Sequence, residues 1–497
     1  MPKTTNFLAF DLGAESGRAV VGRFDGAQLA LEEVYRFPNG PVRLHHSLHW
    51  NVLSLFSEMK RGLAKTIVEH GKEVAALGID TWGVDFALLD RAGSLIGIPY
   101  HYRDSRNDGM VEYAFSLVPK AEIFEQTGLQ FMQLNSLFQL LAMVRQKSPA
   151  LDIAATFLMM PDLFNYWLTG QKVCEYTDAS TSQCYNPRQG SWAKPLLERL
   201  GIPSHIFPEI VQPGTHVGNL LPAVAEEIGA GAVPVIAPGS HDTASAVAAV
   251  PVTSQNEAGF AYISSGTWSL VGTETGSPVI SPAALAYNFT NEGGVEKTIR
   301  LLKNVMGLWL VQESRRTWAQ QGEELSYAEL TQLAAAASPF VALIEPDDAS
   351  FFAPGDMPSR IRDFCRRTGQ SPPASTGAMI RCALESLAFK YRWVIDKAEE
   401  LTQQPIAVVH IVGGGSQNRL LNQFAANATG RPVVAGPVEA TALGNVLLQM
   451  LAVGQVKSLR EGRELVRRSF PVETYEPQDT AVWAETYQRF LPLLLAV

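Results

Sequence analysis

The chain opens on short apolar runs broken by glycine-bearing turns. Phe7-Leu-Ala-Phe10 ends on an acid, Asp11, and the turn Leu12-Gly-Ala-Glu-Ser-Gly17 separates it from a second run over residues 18–24. Asp25-Gly26 then reads as a hairpin signal before an apolar stretch at 29–37. Leu53, Phe56, Met59, Leu63 and Ile67 recur at intervals of three and four, so an amphipathic helix is expected over about residues 52–69. Residues 74–80 return to strand character, and Thr81-Trp-Gly-Val-Asp85 is the turn that ends them. Three meandering strands, a helix and a further strand are the parts of an α/β lobe.

A similar series begins mid-chain. Val233-Pro-Val-Ile-Ala-Pro238 is strand-like and leads into Gly239-Ser-His-Asp-Thr243 and a run of small residues. Residues 261–264 and 268–272 read as two strands around Ser265-Gly266-Thr267. Strand, small-residue turn and strand therefore occur at both 7–24 and 261–273, which suggests two lobes of related design. Ile380, Leu384, Leu387, Tyr391 and Ile395 mark a long helix, and residues 406–412 form an apolar strand expected to be buried on both faces. It runs into Gly413-Gly-Gly415, after which a helical pattern starts at Asn418. The expected domains are residues 1–248 and 249–497.

Composition narrows the class. At 497 residues the chain is too long for one core, and 46% apolar with 18% charged residues describes a folded globular protein. The net charge of -9 excludes a general nucleic-acid binder, which needs a basic footprint. It does not exclude a nucleotide, whose phosphates can be held by backbone N–H groups and a metal ion. No secretory h-region and no membrane-spanning run is visible, so no membrane partner is expected. Four cysteines make no disulfide framework, and a reduced, cytoplasmic protein is the simplest account, a monomer or weak homo-oligomer.

Five turns are candidates for chemistry. Asp11, at a strand end, can orient a hydrated Mg²⁺, and Ala14 to Arg18 offer backbone N–H groups and a guanidinium to phosphate oxygens. Asp242, at a strand-to-helix junction, suits a general base for a substrate hydroxyl, although taken alone it reads as a cap for the helix that follows. Ser264-Ser-Gly-Thr267 is a second hairpin suited to phosphates, and Gly413–Gly415 lets a flat ligand lie on the backbone. In the turn 81–85, Gly83 permits close backbone approach and Trp82 could cover a sugar face or belong to the core. The first loop is no Gly-x-x-x-x-Gly-Lys-Ser/Thr phosphate loop, and no Gly-x-Ser-x-Gly elbow accompanies His241-Asp242.

In this order the segments Asp11 to Arg18, Gly78-Ile-Asp-Thr-Trp-Gly-Val-Asp-Phe86, Tyr102-Arg-Asp-Ser-Arg106, Ser240-His-Asp-Thr-Ala-Ser-Ala-Val247, Tyr262-Ile-Ser-Ser-Gly-Thr-Trp-Ser-Leu270, Asn291-Glu-Gly-Gly294, Leu302-Lys-Asn-Val-Met-Gly-Leu-Trp-Leu310 and His410-Ile-Val-Gly-Gly-Gly415 resemble the FGGY carbohydrate kinases. Within that family they are similar to the branch that acts on L-rhamnulose. The resemblance spans essentially the whole chain. It implies two actin-like, ribonuclease H-type α/β lobes with a cleft between them, the N-terminal one mainly for sugar and the C-terminal one mainly for ATP. It implies phosphorylation of the L-rhamnulose 1-hydroxyl by ATP with Mg²⁺. Position by position, Ala14, Glu15, Ser16, Gly17, Arg18, Thr267, Gln312 and Gly414 are the implied ATP contacts. Gly83, His241, Asp242, Thr243 and Asn304 are the implied sugar contacts, with Asp242 as proton acceptor and Asp11 as a water-mediated Mg²⁺ ligand. Glu15 stands where the family carries a small residue, so its side chain should face away from phosphate. Cys365 and Cys382 fall where relatives also carry cysteines for which a disulfide has been proposed. A kinase for another ketose, and an actin-like ATP-binding protein without transfer activity, are the competing readings.

Overall fold

The structure, a computed structural model, describes residues 4–253 and 259–495. It divides into two compact units. The first comprises Met1–Pro251, Glu274–Leu301 and Ala440–Ser469, the second Val252–Thr273, Leu302–Glu439 and Phe470–Val497. By compactness the chain returns twice to the first unit, with Glu274–Leu301 and with Ala440–Ser469.

In the first unit β1 (Thr5–Leu12), β2 (Ser16–Phe24), β3 (Leu29–Pro38), β4 (Val74–Thr81), β5 (Thr215–Asn219) and β6 (Pro234–Ala237) form one sheet in the order β5-β6-β4-β1-β2-β3. β4 runs parallel to β1 and β6, while the pairs β1–β2, β2–β3 and β5–β6 are antiparallel. The turn at Asp25 closes as expected: its Oδ1 accepts the Ala27 and Gln28 N–H groups at 2.8 Å each. Phe7, Leu8, Leu77 and Ile79 are wholly buried, and each such side chain contributes about 1.5–3 kcal/mol.

The helix Val52–His70 is capped by Asn51, whose side chain accepts from Ser54 N–H. Its buried stripe is Val52, Leu55, Met59, Leu63 and Ile67, whereas Leu53 is 68% exposed. The expected stripe is thus rotated by about one residue at its start, where two apolar neighbours fit the same spacing. The helix Ala440–Ala452 belongs to this unit because missing side chains let it come close. A Cβ on Gly444 would stand 1.7 Å from Ser245 O, and one on Gly78 would stand 2.5 Å from Asn445 Oδ1.

The second sheet has seven strands, and six of them, most of whose residues lie in the second unit, are β7 (Phe260–Ser265), β8 (Trp268–Thr275), β9 (Ile299–Met306), β10 (Val408–Val412), β11 (Val433–Ala435) and β12 (Glu473–Tyr475), in the order β9-β8-β7-β10-β11-β12. β7 is antiparallel to β8 and parallel to β10, β10 is parallel to β11, and β11 is antiparallel to β12. These four pairings repeat the succession β2–β1–β4–β6–β5 of the first unit. The hairpins 7–24 and 261–273 hold equivalent places in it, so the likeness read from their pattern is one of backbone topology. β10 is buried throughout, as its apolar run requires. The helix Thr376–Thr402 starts on the cap Ser375 and carries Cys382. Cys365 and Cys382 are buried free thiols. Among the described residues no helix is long and apolar enough to cross a membrane.

Candidate active site

Three carboxylates gather at the strand ends of the first unit. The parallel register sets Asp11 of β1 beside Asp80 of β4. The segment after β6 joins the same edge, with Thr81 N–H donating to Ser240 O at 2.9 Å, and Asp242 follows two residues later. Asp11 Oδ2 accepts from Arg18 Nη2 at 2.7 Å and Nε at 3.0 Å. Asp80 is fully buried, its Oδ2 takes a 2.6 Å bond from Asn445 Nδ2, and its Oδ1 has no hydrogen-bond partner among the described residues. Burial first, and the charge of Asp11 second, hold the Asp80 carboxyl well above the usual carboxylate range. Burial and then Asp11 push Asp242 up to about 7, against the opposing bond from Thr243.

Excess negative potential of this kind is relieved by a proton or a cation. Among the described residues no group of three or more His, Cys, Asp or Glu is placed to hold a metal by itself. A hard cation that keeps most of its waters needs few protein ligands, and Asp11 with the Asp80 oxygen that lacks a hydrogen-bond partner would be the ones to hold it.

Asp242 is the first residue of the helix Asp242–Ala248, and the N-cap is His241. Asp242 therefore stands inside the first turn, and its carboxylate accepts from Thr243 Oγ1 at 3.1 Å. Glu175 clamps the backbone in front of it. Its wholly buried carboxylate accepts from Thr177 N–H at 2.9 Å, Thr177 Oγ1 at 2.5 Å and Ser240 N–H at 3.1 Å. His241 N–H in turn donates to Thr177 Oγ1 at 3.2 Å. Burial outweighs these donors and pushes Glu175 up to about 7. Gly239 completes the bend, since a Cβ there would meet Ser245 N at 3.0 Å. The His241 ring is buried and kept neutral, by burial first and by the positive charge of Arg300 second.

The turn after β4 is held under strain. Val84 has φ of 68°, a left-handed conformation that costs a β-branched residue about 1–3 kcal/mol. Its N–H donates to Thr181 Oγ1 at 3.0 Å, and its carbonyl accepts from Ser136 Oγ and Gln139 Nε2. Gly83 packs on Thr181, whose Oγ1 would lie 3.0 Å from a Cβ. Trp82 is core: it stacks on Trp50 with centroids 3.9 Å apart and donates to Asp85 Oδ2 at 3.0 Å. Asp85 also accepts from Trp50 Nε1 at 2.5 Å and Gln139 Nε2 at 2.8 Å, and burial pushes it up to about 6.

Residues 6–249 match the N-terminal domain of the FGGY family of carbohydrate kinases, and residues 261–453 match its C-terminal domain. The chain belongs to that family. A rhamnulokinase of Bacteroides thetaiotaomicron is 47% identical over 98% of each chain, and one of Bacillus subtilis is 38% identical over 95% of this chain and 96% of its own. A solved gluconate kinase from Lactobacillus acidophilus superposes with a TM-score of 0.81 at 16% identity, covering 99% of this chain and 97% of the other. A glycerol kinase from Plasmodium falciparum, solved with ADP, gives 0.76 at 17% identity over 98% of both chains. These superpositions establish the sugar-kinase fold of two domains.

Within this FGGY kinase each unit assembles its own share of the expected residues. The first brings together Asp11, Gly83, His241, Asp242, Thr243 and the loop from Ala14 to Arg18. Glu15 is exposed there, with its backbone carbonyl accepting from Asn39 N–H at 3.0 Å. Gly17 is required by packing rather than by open space, because a Cβ would strike the Phe37 ring at 2.3 Å. Arg18, expected on phosphate, spends its guanidinium on Asp11.

The second unit holds Thr267, Asn304, Gln312 and Gly414. Thr267 O accepts from Gly307 and Trp309 N–H, both at 3.1 Å, which seats the helix Trp309–Gln320 on the β7–β8 hairpin. Gly415 presses on the same hairpin, with Ser265 Oγ only 2.0 Å from where a Cβ would be, while the position above Gly414 is open. Gln312 Oε1 is buried without a hydrogen-bond partner among the described residues. Asp80, Glu175, Arg300 and Asn445 escaped the sequence reading. Only Asp80 carried a usable signal there, as an acid ending an apolar strand just as Asp11 does.

Proposed function

We propose that this FGGY kinase transfers the γ-phosphoryl group of ATP to the 1-hydroxyl of L-rhamnulose, with Asp242 as general base. The observation that carries the chemistry is the setting of Asp242, a carboxylate at a helix start whose surroundings bring it near neutrality. A base poised there can accept a hydroxyl proton at ordinary pH. The choice of sugar is supported by near-full-length similarity to rhamnulokinases of several bacteria, at 38–47% identity.

The sugar oxygen attacks the γ-phosphorus as its proton passes to Asp242. The new O–P bond forms while the bond to the β-phosphate oxygen breaks, ADP leaves, and Asp242 later returns its proton to solvent. Gly83, His241, Thr243 and Asn304 hold the ketose. Ala14, Glu15 and Gly17 offer backbone groups, and Ser16, Thr267, Gln312 and Gly414 complete the ATP contacts. Arg18 adds a guanidinium to the ATP contacts. Mg²⁺, when bound through water to Asp11, supplies positive charge for the phosphates. The N-terminal domain is mainly the sugar side and the C-terminal domain mainly the ATP side. Four buried free thiols suit a reducing cytoplasm.

The test is an ADP-release assay across L-rhamnulose, L-fuculose and D-xylulose, with product analysis for the 1-phosphate. Selective turnover of L-rhamnulose is expected. A preference for either other ketose would overturn the substrate assignment and leave the family assignment standing.

A further inference from the structure

Arg300 is wholly buried at the start of β9 and makes no contact with the exterior. Its Nε donates to Gly293 O at 2.8 Å, and its Nη2 lies 3.1 Å from His241 Nδ1 and 3.2 Å from Glu292 Oε2. Glu292 Oε2 is itself 3.5 Å from His241 Nδ1. The imidazole nitrogen therefore has two suitors of opposite kind. A guanidinium can only donate, so contact with Arg300 requires a bare Nδ1, whereas contact with ionised Glu292 requires a proton on it.

The shorter distance belongs to Arg300, and a neutral imidazole with a bare Nδ1 carries its proton on Nε2. That nitrogen stands 3.4 Å from Asp242 Oδ1, the same oxygen that accepts from Thr243 Oγ1. The Nε2–H dipole then faces the oxygen on which Thr243 Oγ1 donates, an electrostatic contact at 3.4 Å that favours the ionised carboxylate. With the other tautomer a lone pair would face the carboxylate and push it away.

We infer that Arg300 is a positioning residue that fixes His241 in its Nε2–H tautomer, so that His241 acts toward Asp242 and the ketose as a donor only. This inference rests on the reading of Asp242 as the base. The role of Glu292 is to hold the guanidinium in place, and in the absence of Arg300 it becomes the partner that captures the Nδ1 proton.

The experiment uses full-length protein with ¹⁵N-labelled histidine, and the His241 signals are assigned by their loss in His241→Asn. Two-bond ¹H–¹⁵N correlation of the wild type, without sugar or nucleotide, should show a protonated Nε2 and a bare Nδ1. In Arg300→Met the proton should move to Nδ1, with kcat lowered about 10- to 100-fold, the range usual for partners that orient a functional group. Arg300→Lys keeps a donor and should retain the wild-type tautomer and recover much of kcat. A wild-type His241 carrying its proton on Nδ1, or on both nitrogens, overturns the inference even if no Arg300 variant folds. So does an Arg300→Met protein with an unmoved tautomer or undiminished kcat. Full activity in Asp242→Asn would instead defeat the base assignment while the measured tautomer stood.

Discussion

Replacing Asp242 by Asn should remove catalysis and stabilise the protein at once. The substitution keeps the size of the side chain and its place at the helix start, and removes only the ability to take a proton. General-base catalysis is usually worth about 10²–10⁴ in rate, which is about 2.7–5.4 kcal/mol of barrier, and kcat should fall by that amount. In the wild type, log kcat/KM should rise with pH and level off above about 7, because the base must be ionised and its pKa is pushed up to about 7. The stability effect has the opposite sense. The folded-state pKa lies above the ordinary 3.8, so folding favours the protonated acid; that contribution is complete below about pH 4 and is lost as pH rises through about 7. At pH 8 the wild type holds a charged Asp242 near Asp11, and the Asn variant does not. The difference in melting temperature, variant minus wild type, should therefore grow between pH 5 and pH 8. Initial rates from coupled ADP release and thermal unfolding at four pH values measure both. A variant with kcat within about threefold of wild type would refute the base assignment, and a melting difference that stays flat or shrinks with pH would refute the electrostatic account.

Two further substitutions test the frame around that carboxylate. Asn445→Ala leaves Asp80 Oδ2 without its 2.6 Å donor and should cost about 1–3 kcal/mol, read as a lower urea midpoint with an unchanged slope; an unchanged midpoint would mean that the bond carries no net stability. Trp82→Phe keeps the stacking on Trp50 but deletes one of the donors to Asp85, so a loss of about 1 kcal/mol in unfolding free energy is expected with the ketose KM changed by no more than about twofold. A tenfold rise in KM, by contrast, would put the indole on the sugar and not in the core.

What could be read ahead of the structure divides along physical lines. Strands, turns and the long helices are written in local periodicity, so β1, β2, β4, β7, β10 and the helix Thr376–Thr402 were all legible within a few residues. The duplicated hairpin was legible for the same reason. The stripe of the helix Val52–His70 was read one residue off because Val52 and Leu53 satisfy the same spacing, and only the sheet beneath decides between them. The site was legible where a residue ends a strand, as with Asp11 and Asp242. It was not legible where the partner comes from far along the chain. Asn445 reaches Asp80 across 365 residues, and Ser240 N–H reaches Glu175 across 65. No local pattern encodes such pairs. Trp82 was ambiguous because an indole beside a glycine suits a sugar face and a core equally until Asp85 is seen to take its N–H.

The duplicated topology also bears on what each unit carries at its strand ends. In the first unit the parallel strands β1, β4 and β6 end on or lead to Asp11, Asp80 and Asp242. In the second the equivalent strand β7 ends at Ser265, and β10 and β11 are followed at once by Gly413 and Gly436, with φ of 83° and 110°. The backbone plan is the same, and the chemistry at its strand ends is opposite. Carboxylates can hold a hydrated cation and accept a proton, but they repel a phosphate that approaches without its metal. Glycines and hydroxyls carry no charge and let a nucleotide come close to main-chain N–H groups. A fold that repeats one sheet can therefore set carboxylates at the strand ends of one copy and uncharged glycine turns at those of the other, by changing only which residues follow three strands.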